Sequence, residues 1–275
     1  MDIKTIQSYY NNNQFWYSLL WSGRYLHFGF WENGITTHKE SLENTNAFIA
    51  ERLQLQEKDT VLDAGCGAGG VSIYFAEKQG AEVTGITLSE VQLKKANLFA
   101  KKSFAQKKMK FFKADYHKTI LPDQTFNKII ALESFCHATD KEVFLKEMYR
   151  LLKPGSKLVV ADAFVTKIKT TKEKNIMNDF LQAWAAPPLP TQDEFSQSLN
   201  RAGFKNITLF NKSVPIRKSI QRAYNRGILF YPFSLIFSKL KIIPENWHGH
   251  CVGAIKLKFL FDNNILEYLV VTAEK

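Results

Sequence analysis

Val61 to Gly70 reads Val-Leu-Asp-Ala-Gly-Cys-Gly-Ala-Gly-Gly. Two apolar residues end a buried strand, Asp63 follows, and glycines stand at 65, 67, 69 and 70 before the helix-like run Val71-Ser-Ile-Tyr-Phe-Ala-Glu. Glycine lets a backbone turn sharply and approach a ligand with no Cβ in the way. The turn therefore predicts a nucleoside-like cofactor held over a strand end. Gly65, Gly67 and Gly70 also fit the dinucleotide pattern G-x-G-x-x-G, which expects an acid at the end of the next strand to bind ribose. The next strand, Ala81-Glu-Val-Thr-Gly-Ile-Thr87, ends in threonine instead.

The elements that must position this turn follow from periodicity. The pattern predicts strand 60–64, helix 69–79, strand 81–86, helix 89–106 with Ser89 as N-cap, strands 109–114 and 127–133, helix 139–152 and strand 157–163. Lys153-Pro154-Gly155 is a helix stop. Alternating strands and helices of this length predict an α/β fold with a mostly parallel, doubly wound sheet. Then come helix 170–185, the Pro187-Pro188-Leu189-Pro190 linker and a capping box, Thr191 to Glu194, opening helix 192–202. Strand 204–211, a mostly helical stretch over 214–264 and strand 266–272 complete the chain. Upstream, Tyr9, Tyr10, Phe15, Trp16, Tyr17, Trp21, Tyr25, Phe28, Phe30 and Trp31 crowd residues 1–50. They are read as two or three short helices forming a cap, with most rings packed as core.

Asp63-x-Gly65-x-Gly67-x-Gly69 resembles the D-x-G-x-G-x-G pattern of class I S-adenosylmethionine (SAM) methyltransferases. Gly85-Ile-Thr87-Leu88-Ser89-Glu-Val-Gln92 is similar to the G-[IL]-T-L-S-x-x-Q motif of one subset. That subset holds cyclopropane fatty-acid synthases, tocopherol- and sterol-type methyltransferases and natural-product enzymes. The resemblance implies a seven-stranded Rossmann-like sheet with an antiparallel last strand, and SAM as cofactor. It implies that Asp63, Gly65, Cys66 and Gly67 surround the cofactor, and that the Thr87-Leu88 backbone and the Gln92 side chain hold its ribose. Asp115 would accept a hydrogen bond from the adenine amino group, with Tyr116 on the ring. Tyr25, in Tyr25-Leu-His27-Phe-Gly29-Phe-Trp31, would lie near the methionine carboxylate. Leu132-Glu133-Ser-Phe-Cys-His137 would sit where the methyl group points, with Leu132 against the cofactor. Glu133 would contact substrate or stabilise a cation. His137 would act as a general base or else pack beneath the cofactor. Cyclopropane synthases usually carry cysteine at the position of His27, which weighs against cyclopropanation.

Composition sets the outer limits. At 275 residues and 45% hydrophobic content the chain can bury a substantial core. No run of about 18 apolar residues predicts a spanning helix, and Met1–Gln7 does not read as an export signal. Cys66, Cys136 and Cys251 lack metal-ligand spacing, and a reduced, cytoplasmic setting is expected. The formal charge of +11 is concentrated: residues 201–258 hold eleven Lys/Arg against Glu245 alone, a net +10. Beside the apolar run Ile228–Phe237, this predicts contact with an anionic membrane surface or an anionic substrate group, against the alternative of a solvated basic face. No metal site, nucleophile triad, P-loop or nucleic-acid module is present. The expected layout is one methyltransferase unit: cap 1–50, SAM-binding core 51–165, and substrate side 166–275 with a lid over 214–264. The expected activity is methyl transfer to O or C of a bulky, largely apolar small molecule. The rivals are C-methylation of an isoprenoid (prenylquinol, sterol-like chain or prenyl diphosphate) and a non-catalytic, membrane-associated SAM-binding protein.

Overall fold

The computed structural model describes every residue except Asn33 and Pro244; the side chains of Trp16, Leu19, Leu20, Glu245 and Asn246 also lie outside the described set. Seven strands form one sheet in the order β3-β2-β1-β4-β5-β7-β6. They are β1 (Thr60–Ala64), β2 (Glu82–Thr87), β3 (Met109–Lys113), β4 (Phe126–Leu132), β5 (Leu152–Val165), β6 (Lys205–Asn211) and β7 (Leu266–Glu274). Strands β1 to β5 pair in parallel, and β7 runs antiparallel to both β5 and β6. This is the predicted Rossmann-like α/β sheet, with its antiparallel last strand.

The central strands are apolar on both faces, and successive residues feed two separate cores. Val61, Ile130, Val159 and Val270 pack with Ile49 and Leu53 on one side. Leu62, Ile129, Val160 and Val271 pack with Phe144, Leu145 and Phe195 on the other. Helices α3 (Gly70–Gln79), α4 (Glu90–Ala100), α5 (Lys141–Leu151) and α7 (Gln192–Ala202) follow the expected alternation. The predicted capping box forms: Glu194 N–H donates to Thr191 Oγ1 (3.2 Å), and Thr191 N–H to Glu194 Oε2 (2.7 Å).

Three boundaries differ from expectation. Helix α4 ends at Ala100 rather than 106, followed by turns and a 3₁₀ turn at Gln106–Lys108. Lys153-Pro154-Gly155 stops α5 but already lies within β5, whose pairing with β4 shifts register between Phe126 and Lys128. The cap is one long helix, α1 (Ile3–Leu20), then an extended stretch, then α2 (His38–Leu53). The residue-50 division thus falls inside α2, whose Ile49 and Leu53 belong to the main core. The segment 214–264 folds as α8 (Arg217–Lys239) and α9 (Glu245–Asp262), and α6 (Thr171–Ala183) packs on α9.

The chain order reverses between β1 and β4, so the carboxyl ends of these central strands open into a crevice, the standard ligand position in such sheets. Phe144, fully buried, braces the floor of that crevice against Tyr116 (centroids 5.0 Å) and Phe135 (5.4 Å). Phe144→Ala should cost about 3–5 kcal/mol of unfolding free energy. A loss below about 1 kcal/mol in denaturant titration would contradict this packing.

Candidate active site

The crevice widens into a chamber walled by the β1, β2 and β4 ends below and by α1, α6, α8 and α9 around it. Every residue selected from the sequence lines it except Asp115. The first loop follows from backbone geometry. Gly65 and Cys66 both donate to Ile86 O (3.0 and 2.9 Å), tying the turn to β2. Gly65 has φ 94°, and a Cβ there would stand 2.3 Å from Ser134 Cβ. Gly67 has φ 53°, and its open side faces Leu26 and the Gln92 amide. These positions need glycine for conformation and for close approach alike.

Asp63 is buried and accepts from Ser72 Oγ (2.6 Å), so it orders the first turn of α3; burial pushes its pKa up to about 6. Ser89 caps α4 by accepting from Gln92 N–H (3.1 Å). Thr87 Oγ1 donates to Gln92 Oε1 (2.9 Å), which turns the amide nitrogen toward the chamber. Gln92 Nε2 is buried with no partner among the described residues. It is therefore a donor aimed at the space over Gly67. Leu88 and Leu132 contribute apolar wall. Tyr116 is fixed by its hydroxyl donating to Ser134 O (2.9 Å). Asp115 instead turns its carboxylate to His117, accepting from Nδ1 (2.6 Å) and from the backbone N–H (2.9 Å). Asp115 is not among the residues that line the chamber.

Tyr25 is buried, and its hydroxyl accepts from Arg24 Nη2 (3.1 Å). Both line the chamber, and both press on the start of α3: a Cβ on Gly70 would meet Arg24 O at 2.5 Å and Tyr25 Cδ1 at 2.6 Å. Arg24 was not singled out from the sequence, although it sits beside the Tyr25–Trp31 motif. His27 is buried, with Nδ1 3.0 Å from Phe28 O and burial lowering its pKa to about 4.

Glu133 follows β4 with φ 48°, a left-handed conformation. Its Oε1 accepts from Phe28 N–H (2.7 Å) and Tyr268 OH (2.9 Å). Burial, partly offset by these bonds, pushes its pKa up to about 8. His137, on the 3₁₀ turn Phe135–His137, has Nδ1 3.2 Å from Ala185 O and Nε2 2.7 Å from Tyr10 OH. The carbonyl can only accept, so Nδ1 carries the proton and Nε2 accepts from the tyrosine. Burial lowers the His137 pKa to about 4 and raises that of Tyr10 well above 10. Asp162 was missed in the apolar strand that carries it. It lines the chamber, accepts from Cys136 N–H and Ala163 N–H (both 2.8 Å), and is raised by burial to about 6.

The aromatic cap is not mainly core packing. Tyr9, Tyr10, Tyr17, Trp21, Tyr25 and Phe28 line the chamber, whereas Phe30 is buried in the core and Phe15 is 63% exposed. The side chain of Trp16 is outside the described set. Tyr9 OH lies 2.8 Å from His250 Nδ1 on α9 and 3.1 Å from Tyr17 OH, joining α1 to α9.

Residues 62–160 match the model of a methyltransferase domain. The 27-O-demethylrifamycin SV methyltransferase of Amycolatopsis mediterranei is 30% identical over 207 residues, 75% of this chain and 76% of that protein. The sterol 24-C-methyltransferase of Kluyveromyces lactis is 28% identical over 205 residues, 74% of this chain. The chain spans 55% of that enzyme's length and 41% of its Saccharomyces cerevisiae counterpart. The cyclopropane synthase MmaA2 of Mycobacterium tuberculosis shares the fold, with a TM-score of 0.84 over 99% of this chain and 98% of that one, at 16% identity. The glycine turn, the Thr87–Gln92 pair and these likenesses agree: the chain belongs to the class I SAM-dependent methyltransferase family.

Proposed function

We propose that the chain transfers a methyl group from SAM to oxygen or carbon of a bulky, largely apolar small molecule enclosed in the chamber. The observation that carries this reading is the pairing of an unsatisfied buried donor, Gln92 Nε2, over the glycine turn with an aromatic chamber beyond it. The residues present fit the cofactor. Gln92 would donate to a ribose hydroxyl, Gly65 and Gly67 admit the nucleoside close to the backbone, and Arg24 with Tyr25 would receive the methionine carboxylate. Bound SAM supplies a methyl group already activated on a sulfonium, so the protein's work is positioning, exclusion of water and handling one proton.

Tyr10 and His137 do that last task. The tyrosine hydroxyl accepts the acceptor's proton as its own passes to His137 Nε2, and Ala185 O holds the imidazole in the tautomer that can receive it. An oxygen that has just been methylated is a far stronger acid than imidazolium, so a histidine of low pKa still accepts its proton. Burial raises the Glu133 pKa to about 8, and its Oε1 braces Phe28 N–H and Tyr268 OH. Isoprenoid C-methylation remains a second reading, favoured by the rings of Tyr9, Tyr10, Tyr17, Phe180, Trp184 and Phe230 around the chamber.

Helix α8 supports presentation of the substrate at an anionic membrane surface. Leu229, Phe233, Ile236 and Leu240 recur on one face and are 62, 55, 55 and 62% exposed, with Lys239 and Lys241 alongside. Residues Ala223, Gly227 and Phe230 of the same helix line the chamber. Among the described residues no helix is long and apolar enough to cross a bilayer.

Four outcomes test these statements. Gly67→Val should abolish SAM binding by calorimetry, whereas Tyr10→Phe should leave SAM affinity intact and lower turnover of methyl-labelled SAM by about 10²-fold. A loss below tenfold in the Tyr10 variant would remove the relay. A carboxyl raised on folding binds more protons folded than unfolded, so Glu133 costs stability as pH rises from its ordinary 4.5 through about 8. The melting temperature of Glu133→Gln should therefore gain on the wild type across that window, and a pH-independent difference would refute the assignment. The chain should co-sediment with phosphatidylglycerol-containing vesicles but not with phosphatidylcholine alone, and less at high salt. Leu229→Asp with Phe233→Asp should release it; equal sedimentation of wild type and variant would remove the membrane role.

A further inference from the structure

The basic residues of the lid are not equivalent. Arg217 pairs with Asp262 (3.5 Å), Lys256 with Asp179 (2.8 Å), Lys258 with Asp262 (2.5 Å) and Lys212 with Glu32 (2.9 Å). Lys218, Arg222 and Arg226 have no acidic partner among the described residues. Their spacing of four places them along one face of α8, because side chains at i and i+4 are neighbours on a helix. The row runs inward. Lys218 is exposed over the Trp31 ring (5.4 Å), Arg222 is half-buried, and Arg226 lines the chamber wall.

Arg222 Nε and Arg226 Nη1 are both buried with no hydrogen-bond partner among the described residues. Burial, and next to it the Arg222 charge, lowers the Arg226 pKa below its ordinary value, so the two guanidinium groups disfavour one another. His38 faces the same pair from α2, between the rings of Trp21 (4.7 Å) and Trp31 (6.4 Å). Burial first and the two arginines second lower its pKa to about 4, and both its ring nitrogens are unpartnered. At neutral pH it therefore adds a hydrogen-bond donor without a third charge. Unpaired guanidinium groups out of water are costly, and that cost is relieved by an anion that accepts from both.

We propose that Arg222 and Arg226, with His38 beside them, bind the anionic head, a phosphate or a carboxylate, of a substrate whose apolar body fills the chamber. This rests on the methyltransferase reading of the same chamber and narrows its substrate class to acidic amphiphiles. The planar guanidinium fork matches either oxyanion in a way that a lysine does not. The head would fix which end of the substrate lies at α8, and so which atom reaches the Tyr10–His137 end.

The test uses the full chain saturated with S-adenosylhomocysteine and three probes of equal chain length: dodecyl phosphate, dodecanoate and dodecanol. Calorimetry should show one or both anions bound about tenfold or more tighter than the alcohol. A phosphate-only or carboxylate-only preference supports the site and identifies the head group. Arg222→Gln with Arg226→Gln should abolish the preference while leaving dodecanol and S-adenosylhomocysteine affinities unchanged. Arg217→Gln, which removes only the Asp262 pair, should retain it. Equal binding of anion and alcohol by the wild type overturns the proposal even if the double variant fails to fold, as does a preference that survives in a folded double variant. Failure of the wild type to bind S-adenosylhomocysteine would strike the cofactor reading instead.

Discussion

A single carboxyl oxygen holds the molecule's functional parts in register. Glu133 Oε1 gathers the Phe28 N–H of the N-terminal stretch and the Tyr268 hydroxyl of the last strand, while the Glu133 N–H is bonded to Ala161 O of β5 (2.8 Å). Residues from the start, middle and end of the chain thus meet at the carboxyl end of β4. The cost is visible in the left-handed backbone at Glu133 and in the burial of its carboxyl, both tolerated because the surroundings over-determine them. From this point the Tyr25–Trp31 stretch can lie across the glycine turn, with Leu26 facing Gly67 and Tyr25 packed on Gly70.

The glycine turn and the Thr87–Gln92 pair were legible in the sequence because their geometry is local. A strand, a turn of glycines and a capped helix are specified within a few residues, and the Thr87–Gln92 pair spans one helical start. Glu133 and His137 could be placed by the strand that precedes them. The rest was not legible, for the opposite reason. Tyr10 reaches His137 across 127 residues, and no local pattern separates such a ring from one that packs in the core. Asp162 was hidden in an apolar strand, and Arg24 next to a motif that drew attention to its neighbour. The bonds from the His117 ring and backbone to Asp115 are likewise not legible in a motif that names only the aspartate.

Burial neutralises several titratable groups around the chamber, although Asp63 and Asp162, raised only to about 6, stay mostly ionised near pH 7. His27, His137 and His250 are each lowered by burial to about 4 and so are neutral near pH 7. Glu133 is raised to about 8 and is mostly neutral there too. Against this background the guanidinium groups of Arg24 and Arg226 are strong local features, because low-polarity surroundings screen them poorly. The wall therefore combines broad apolar surface with a few ionic points.

The Tyr9–His250 hydrogen bond joins residues 241 positions apart, nearly the length of the chain. Contacts of such separation carry the largest loop-closure cost and reward it only once intervening structure is in place. The tyrosines of α1 meet their partners only when the Phe135–His137 turn and α9 are in place, whereas the β1–α3–β2 turn is tied by backbone bonds between near neighbours. By topology, the glycine turn depends on contacts of short separation, whereas closure of the chamber between α1 and α9 depends on some of the longest in the chain.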